Sequence, residues 1–400
     1  MLKGKEIVLG VSGGIACYKS AELVRELTRR GAGVQVVMTK NAREFIRPLT
    51  FEALTGRPVI IDLFKPGQEA QMAHIKVARQ ADLLVIAPAT ANIMGKMAWG
   101  IADDPLTTIL LATRSPVLIA PAMNAVMYEN PVVQENLKRL RERGYFIVGP
   151  EAGELACGEE GYGRLAGVEA IVWEMEVILA DKDLAGEDMV ITAGPTQEPI
   201  DPIRIITNRS SGRMGYTLAM AAHRRGARVT LISGPTSLPD PHGVRLVRVN
   251  TALEMREEVL ANLEEATALI MTAAVADFRP ERVTEKKVKK DSFPASVPLV
   301  PNPDILKEVG ERKGDMVLVG FAAESENLVE NAKGKLIEKN LDLIVANDIS
   351  GFASPENRVV IIDRDMQVKE FPLLPKEEVA EIILDRIKEM RLGRRGASSP

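Results

Sequence analysis

Aromatic residues, cysteines and histidines are scarce in this chain, and each shortage removes a class of function. Aromatics make up 4% of 400 residues, too few for the stacking platforms of a single-stranded nucleic-acid binder. The formal net charge is −4, without the basic excess of a protein that grips a phosphate backbone. The two cysteines, Cys17 and Cys157, stand far apart and form no CxxC pair. A disulfide framework or a structural zinc site therefore has no support. No apolar run reaches the roughly 18 residues of a membrane span. Met1–Lys5 leads directly into a strand-like segment, which leaves no room for a signal peptide, so the expected compartment is the cytoplasm.

What is present suits a globular protein of two or three domains. Hydrophobic residues are 46% of the chain and charged residues 26%, ample for cores at this length. Ile7–Val11 is a continuous apolar run of the kind buried in a parallel sheet, and Ser12-Gly13-Gly14 turns the chain. Leu23, Val24 and Leu27 then share one helical face, and Gly31 ends it. Val34–Met38, Leu83–Ala87, Val117–Ala120 and Phe146–Val148 read as further strands. A helix over Val168–Ala180 and the polar stretch Asp181–Asp188 follow. The pattern then restarts, with strands at Met189–Ala193, Val229–Ser233, Ala268–Thr272, Val317–Phe321, Leu343–Ala346 and Val359–Asp363, and a helix over Gly212–Arg225. Strands alternating with helices predict an α/β fold with two doubly wound sheets, and the boundary falls near residue 188. The small, basic tail from Arg391 to Pro400 is expected to be disordered.

Each half opens with a strand running into a glycine turn, a place where backbone N–H groups and a helix dipole suit phosphate. Glycine also occurs there simply to turn the chain. A dinucleotide site does not fit the details. Gly10-Val11-Ser12-Gly13-Gly14-Ile15 departs from GxGxxG, and the second strand runs into Thr39, not into the acidic residue that would hold a ribose. A mononucleotide such as FMN fits better, with Ser12 and Thr39 as hydroxyl donors to its phosphate. Ala87-Pro88-Ala89-Thr90-Ala91-Asn92 and Pro121-Ala122-Met123-Asn124-Ala125-Val126-Met127 follow two strands, where ligands bind in such sheets. Gly153–Gly158, continuing to Gly161-Tyr162-Gly163-Arg164, has the composition of a mobile flap and carries Cys157. His74 is the only histidine of this half.

Together the Gly10–Lys19 turn, His74-Ile75, Ala87–Asn92, Ala102-Asp103-Asp104, Pro121–Met127 and the Cys157 flap resemble the flavin-dependent cysteine decarboxylases, in particular the phosphopantothenoylcysteine decarboxylases. The resemblance implies a flavodoxin-like domain over 1–188 that binds FMN through Ser12, Gly13, Gly14, Thr39, Pro88, Ala89, Thr90 and Asn92. It implies that flavin takes a hydride from the carbon bearing sulfur, so that CO₂ can leave, and then returns it. His74 is then the base, Asn124 holds the substrate carboxylate and Cys157 gives the last proton.

In the second half Ile191–Thr196 leads to Asn208-Arg209-Ser210-Ser211-Gly212-Arg213-Met214-Gly215, whose hydroxyls and N–H groups suit phosphate or substrate. Ala273–Asp277 puts a carboxylate after a strand, suiting a Mg²⁺–nucleotide or ribose contact. Glu285–Lys290 is a charge run of the kind that also forms solvated loops. Lys335 and Lys339, four apart on an expected helix, can address one anion. With Gly320–Glu324 and Asn340, this set resembles the phosphopantothenate–cysteine ligases. The order of the halves is similar to the bacterial bifunctional proteins of coenzyme A biosynthesis. The resemblance implies a Rossmann-like ligase domain over 189–400. It would join 4′-phosphopantothenate to cysteine through an acyl-cytidylate formed with CTP and Mg²⁺, and the first domain would decarboxylate the product, phosphopantothenoylcysteine. The implied CTP contacts are Met271, Thr272, Ala273, Asp277, Lys287, Asn302, Pro303, Asp304, Ile305, Phe321, Lys335 and Lys339, with Asp277 on the metal. Asn208 and Lys287 are the implied catalytic residues. Arg213 stands where many relatives have lysine, and its role is open. Relatives form decarboxylase trimers linked by ligase dimers, so a homo-oligomer is expected. Two other readings remain: a flavoprotein oxidoreductase with an accessory nucleotide-binding domain, and a nucleotide sensor without chemistry.

Overall fold

Runs of apolar residues bounded by glycine and small polar turns produce two separate sheets. The computed structural model describes all residues except 64–72, 155–157, 159, 290–295, 325–326, 349–355 and 398–400. It divides into two compact units, Met1–Ala180 and Asp181–Pro400.

The first unit runs β1 (Glu6–Val11), α1 (Cys17–Arg29), β2 (Gly33–Met38), a 3₁₀ turn (Lys40–Glu44), α2 (Pro48–Thr55), α3 (Ala73–Gln80) and β3 (Leu83–Ala89). It continues with α4 (Ala91–Trp99), α5 (Pro105–Ala112), β4 (Val117–Pro121), α6 (Ala125–Glu129), α7 (Pro131–Glu142) and β5 (Phe146–Ile147). An antiparallel ribbon, β6 (Glu151–Glu154) and β7 (Glu160–Arg164), precedes α8 (Val168–Leu179). The five-stranded sheet has the order β2-β1-β3-β4-β5 and is parallel throughout. Side chains alternate across it. Ile7, Leu9 and Val11 pack with Leu23, Leu27 and Ile171 on one face, while Val8, Leu84 and Ile86 pack with Ile93, Leu106 and Leu137 on the other.

The second unit runs β8 (Asp188–Ala193), a hairpin of β9 (Gln197–Pro199) and β10 (Ile205–Thr207), α9 (Arg213–Arg224), β11 (Arg228–Ser233), β12 (Arg245–Arg248), α10 (Ala252–Ala261) and β13 (Ala268–Met271). A second ribbon, β14 (Phe278–Pro280) and β15 (Leu299–Pro301), precedes α11 (Ile305–Gly310), β16 (Val317–Glu324) and α12 (Leu328–Glu338). The chain ends in β17 (Leu343–Asp348), β18 (Glu356–Asp363), β19 (Val368–Pro375) and α13 (Lys376–Ala397). The eight-stranded sheet is ordered β12-β11-β8-β13-β16-β17-β18-β19. It is parallel from β12 through β17, and β18 and β19 then pair antiparallel. The parallel part has the strand order of a dinucleotide-binding fold, with its reversal between β8 and β13. Two expectations need correction. The boundary lies at residues 180–181, not near 188. Asp183 belongs to the second unit because Arg225, 6% exposed, donates to it at 2.8 and 2.9 Å. These bonds from Arg225 hold the Asp183 carboxyl down to about 2. Of the tail expected to be disordered, residues 391–397 are the last part of α13, and 398–400 lie outside the described residues. Arg391 pairs with Glu187 at 3.0 Å and Arg394 with Asp342 at 2.5 Å, bonds that composition alone cannot reveal.

Asp342 is the buried anchor of this end of the fold. Its side chain is 0% exposed and pairs with Lys313 at 3.0 Å and Arg394 at 2.5 Å. It also accepts the Leu318 N–H at 2.9 Å. Lys313, 7% exposed at its side chain, has little water to replace that carboxylate. Removing one partner of a buried pair leaves an uncompensated charge and costs about 3–5 kcal/mol. Asp342→Asn is therefore expected to lower the thermal midpoint markedly, and Asp342→Leu with Lys313→Met to recover much of it. An unchanged midpoint in Asp342→Asn would show that the cluster does not hold α13 to the sheet.

Candidate functional site

Each sheet reverses its strand order once, and a cavity opens at the carboxyl ends of the strands at each reversal, as open α/β sheets favour. In the first unit this lies between β1 and β3. The cavity has a volume of about 1070 Å³ and is lined by Ser12, Gly13, Gly14, Thr39, Pro88, Thr90, Asn92 and Asn124, among others. Every residue expected to hold FMN is there except Ala89, which is fully buried in β3.

Local hydrogen bonds fix these side chains. The Ser12 hydroxyl donates to Pro88 O at 2.7 Å and accepts the Thr90 N–H at 3.0 Å. The expected phosphate donor thus also ties the first turn to the end of β3. Thr39 accepts the Ala42 N–H at 3.3 Å, capping the 3₁₀ turn and keeping its own donor capacity. Thr90 caps α4, and Asn124 caps α6 through the Val126 N–H at 2.9 Å. Gly13 is required by a close approach. A Cβ there would meet the backbone carbon of Asn41 at 2.7 Å. Gly163, at φ +152, lets β7 lie against Met123, whose N–H donates to Gly163 O at 2.9 Å. The ribbon thereby covers the segment that carries Asn124. Asp103, also on the wall, is held below its ordinary range by a hydrogen bond from Lys96.

His74 is the second residue of α3 and is half-buried, but it is not among the residues lining the cavity. Cys157 lies outside the described residues. Asn124 is thus the one member of the expected catalytic group that the described chain brings to the cavity. Lys19, Lys40 and Asn41 also line it and were not singled out. Their place after β1 and β2 was the available signal.

The second cavity has a volume of about 1220 Å³, and its lining includes Asn208, Met271, Thr272, Ala273, Asp277, Asn302, Pro303, Asp304, Ile305, Phe321 and Lys339. One wall is the segment after β13, and the strand-end threonines of β8 and its turn hold it. Thr192 Oγ1 accepts the Ala273 N–H at 3.1 Å and Thr196 Oγ1 the Ala276 N–H at 2.9 Å. Asn208 donates from Nδ2 to Ala274 O at 3.3 Å and Val275 O at 3.1 Å. Asn302 donates from its backbone N–H to Asp277 O and from Nδ2 to Ala276 O, both at 2.8 Å. Lys339 pairs with Asp304 at 2.8 Å. Burial raises the Asp304 carboxyl, but the hydrogen bonds from Lys339 and the Lys307 N–H, with both lysine charges, bring it below its ordinary value.

Two expected contacts fall outside this lining. Lys335 lies on α12 and is not in the lining, whereas Lys339, the C-cap of that helix, is. Lys287 is exposed, on a segment whose Val288 N–H reaches the Asp201 carboxylate at 3.3 Å. In turn the lining holds Asn347, Asn357 and Lys376, which sequence reading missed. Asn347 follows the apolar run Leu343–Ala346 and was legible there, whereas Lys376 looks like any basic residue before an amphipathic helix.

Family comparison matches each unit separately. Residues 1–178 match the flavoprotein family, and residues 184–390 match the DNA/pantothenate metabolism flavoprotein C-terminal domain. The coenzyme A biosynthesis bifunctional protein CoaBC of Vibrio cholerae is 48% identical over 395 residues, covering 97% of this chain and 99% of that protein. The protein of the same name from Bacillus subtilis is also 48% identical over 395 residues, covering 97% of each. A crystal structure of the C-terminal domain of a CoaBC protein is 44% identical and covers 52% of this chain and 98% of its own, with a TM-score of 0.47. Two family matches in this order, and relatives this similar along nearly their whole length, place the chain in the family of coenzyme A biosynthesis bifunctional proteins.

Proposed function

We propose that the second unit joins 4′-phosphopantothenate to cysteine using CTP and Mg²⁺, and that the first unit decarboxylates the resulting phosphopantothenoylcysteine with FMN. The observation that carries this reading is the lining of the first cavity. All the residues expected to hold FMN, except Ala89, meet at the strand reversal where FMN binds in sheets of this order. The cavity also fits the group chemically. Ile15, Ile93, Met123, Met127 and Leu165 offer apolar wall to a ring system, and Thr39, Lys19, Lys40 and the Gly13-Gly14 turn offer donors to a phosphate.

Bound FMN supplies the two-electron chemistry that gives the substrate carboxylate an electron sink. In this reading Asn124 orients that carboxylate through its amide, with its carbonyl already held by Val126. His74 takes the proton that must leave when the substrate is oxidised, and Cys157 returns one after CO₂ departs. In the second unit the phosphopantothenate carboxylate attacks the nucleotide α-phosphate and pyrophosphate leaves. Met271–Ala273, Asn302–Ile305 and Phe321 hold the nucleotide. Among the described residues no group of three or more His, Cys, Asp or Glu could hold a metal ion. Asp277, exposed on the cavity wall, would hold Mg²⁺ there, which would neutralise phosphate charge. Lys339, Lys335 and Lys287 neutralise the departing anion. Lys335 and Lys287 both stand off the cavity, so their roles require their side chains to approach the bound nucleotide. Asn208 orients the acyl carbonyl for the amine of cysteine. Assembly into decarboxylase trimers linked by ligase dimers belongs to the same reading.

Two tests follow from these assignments. Gly13→Ala forces the turn off Asn41, and overpacking of this kind costs about 1–3 kcal/mol. FMN affinity should fall about tenfold or more, with ligation retained, as read by flavin absorbance after dialysis. Undiminished flavin retention would remove the turn from the FMN site. For the ligase, Lys287→Gln should yield neither pyrophosphate nor acyl-cytidylate, whereas Asn208→Asp should form the acyl-cytidylate and let it persist when cysteine is added. Full activity in Lys287→Gln would return residues 285–290 to a solvated loop. Equal loss of both half-reactions in Asn208→Asp would end the division of labour.

A further inference from the structure

Lys287 is exposed and outside the lining of the second cavity, yet the chain on both sides of it is tied to one turn. Thr284 donates to Ile200 O from its N–H at 3.1 Å and from Oγ1 at 3.3 Å. The Val288 N–H donates to Asp201 Oδ2 at 3.3 Å, and Val288 O accepts from the Arg204 guanidinium at 3.2 Å. Among the described residues, every hydrogen bond of residues 282–289 runs to Ile200, Asp201 or Arg204.

The turn itself is firmly built. Asp201 is 1% exposed and lies in the tip of the β9–β10 hairpin. Its Oδ1 accepts the Ile203 N–H at 2.9 Å and the Arg204 N–H at 2.8 Å, and Oδ2 accepts the Arg204 side chain at 2.5 Å. The Ile200 N–H donates to Arg204 O at 2.8 Å and closes the loop. With Val288, four donors meet a carboxylate that has room for about four. The Oδ1 bonds make the turn, whereas Oδ2 reaches across to the residue after Lys287. At the base of the same hairpin Thr207 pairs with Gln197, and the next residue is Asn208, bonded to Ala274 O and Val275 O in the cavity wall. One hairpin thus carries Asn208 at its base and holds the Lys287 segment at its tip.

A lysine on a free segment loses backbone freedom when it meets a departing anion, and that loss raises the barrier. A segment tied beforehand avoids much of it. We infer that Asp201 is a positioning residue for the first half of the ligation, tethering Val288 so that Lys287 is held ready for the nucleotide. The inference rests on the ligase reading of the second cavity and adds a residue that reading does not use.

Asp201→Asn tests it in the full chain, by hydrogen exchange and by separate assay of the two half-reactions. The amide oxygen can keep the Ile203 and Arg204 N–H groups, but the amide nitrogen is a donor and cannot accept from Val288. Exchange over residues 282–289 of the ligand-free chain should rise, with β8 unchanged. Pyrophosphate release from CTP, Mg²⁺ and 4′-phosphopantothenate should slow by about tenfold to a hundredfold in kcat, with the KM for CTP little changed. Acyl-cytidylate already formed should still react with added cysteine at the wild-type rate. Val288→Pro removes the same N–H donor from outside the turn and gives the same readout if Asp201→Asn does not fold. Unchanged exchange over 282–289 in a folded variant, or unchanged pyrophosphate release, would overturn the inference. Equal loss of both half-reactions would overturn it too, since a purely structural role slows them together. A wild-type chain that forms no acyl-cytidylate, while exchange still rises in Asp201→Asn, would reject the ligase reading and leave the tether standing.

Discussion

The burial of parallel strands on both faces governs where this protein can place chemistry. All seven positions of β3, all five of β4 and all four of β13 are buried. A polar side chain inside such a strand must find its partner within the protein. The exceptions do so. Thr192, fully buried in β8, accepts the Ala273 N–H, and Ser20 in α1 donates to Ala87 O at 2.7 Å. Groups that are to meet a ligand are therefore displaced to the strand ends. Both cavities lie there, at the two places where the strand order reverses.

The residues at those ends serve the fold and the ligand together. Thr39, Thr90, Asn124 and Asp304 each cap a helix or turn through a backbone N–H. A cap worth about 1 kcal/mol fixes the side chain before any ligand arrives, so positioning does not have to come from binding energy. The second unit adds a longer-range constraint. α13 is held by Arg225 with Glu381 and Asp385, and by Arg394 with Asp342. Its first residue, Lys376, stands in the cavity wall. Stability at the far end of the helix and charge in the site thus belong to one element.

Much of this was legible in sequence because the signals were local. Apolar runs located the strands to within three residues at either end, and the segments after them supplied most of each lining. Legibility failed where tertiary contacts decide. Ser12 was read as a phosphate donor, and its bond to Pro88 O, 76 residues away in the chain, was not legible. The tail from Arg391 looked disordered because Glu187, Asp315 and Asp342, which hold it, are far off in sequence. β12 and β19 were missed because they are exposed edge strands with mixed composition. Lys376 escaped because burial, not residue type, makes it unusual. His74 gave a clear family signal, yet the fold of the single chain does not place it on the cavity.

The central claim is that one chain makes phosphopantothenoylcysteine in its second unit and decarboxylates it in its first. Incubation of the purified chain with 4′-phosphopantothenate, cysteine, Mg²⁺ and each nucleoside triphosphate in turn, with products read by mass, tests it most directly. The account predicts 4′-phosphopantetheine, CO₂, pyrophosphate and CMP with CTP. Omitting cysteine should leave the acyl-cytidylate. A flavin-containing chain that forms no phosphopantothenoylcysteine with any nucleotide, or that forms it and never releases CO₂, would contradict the account.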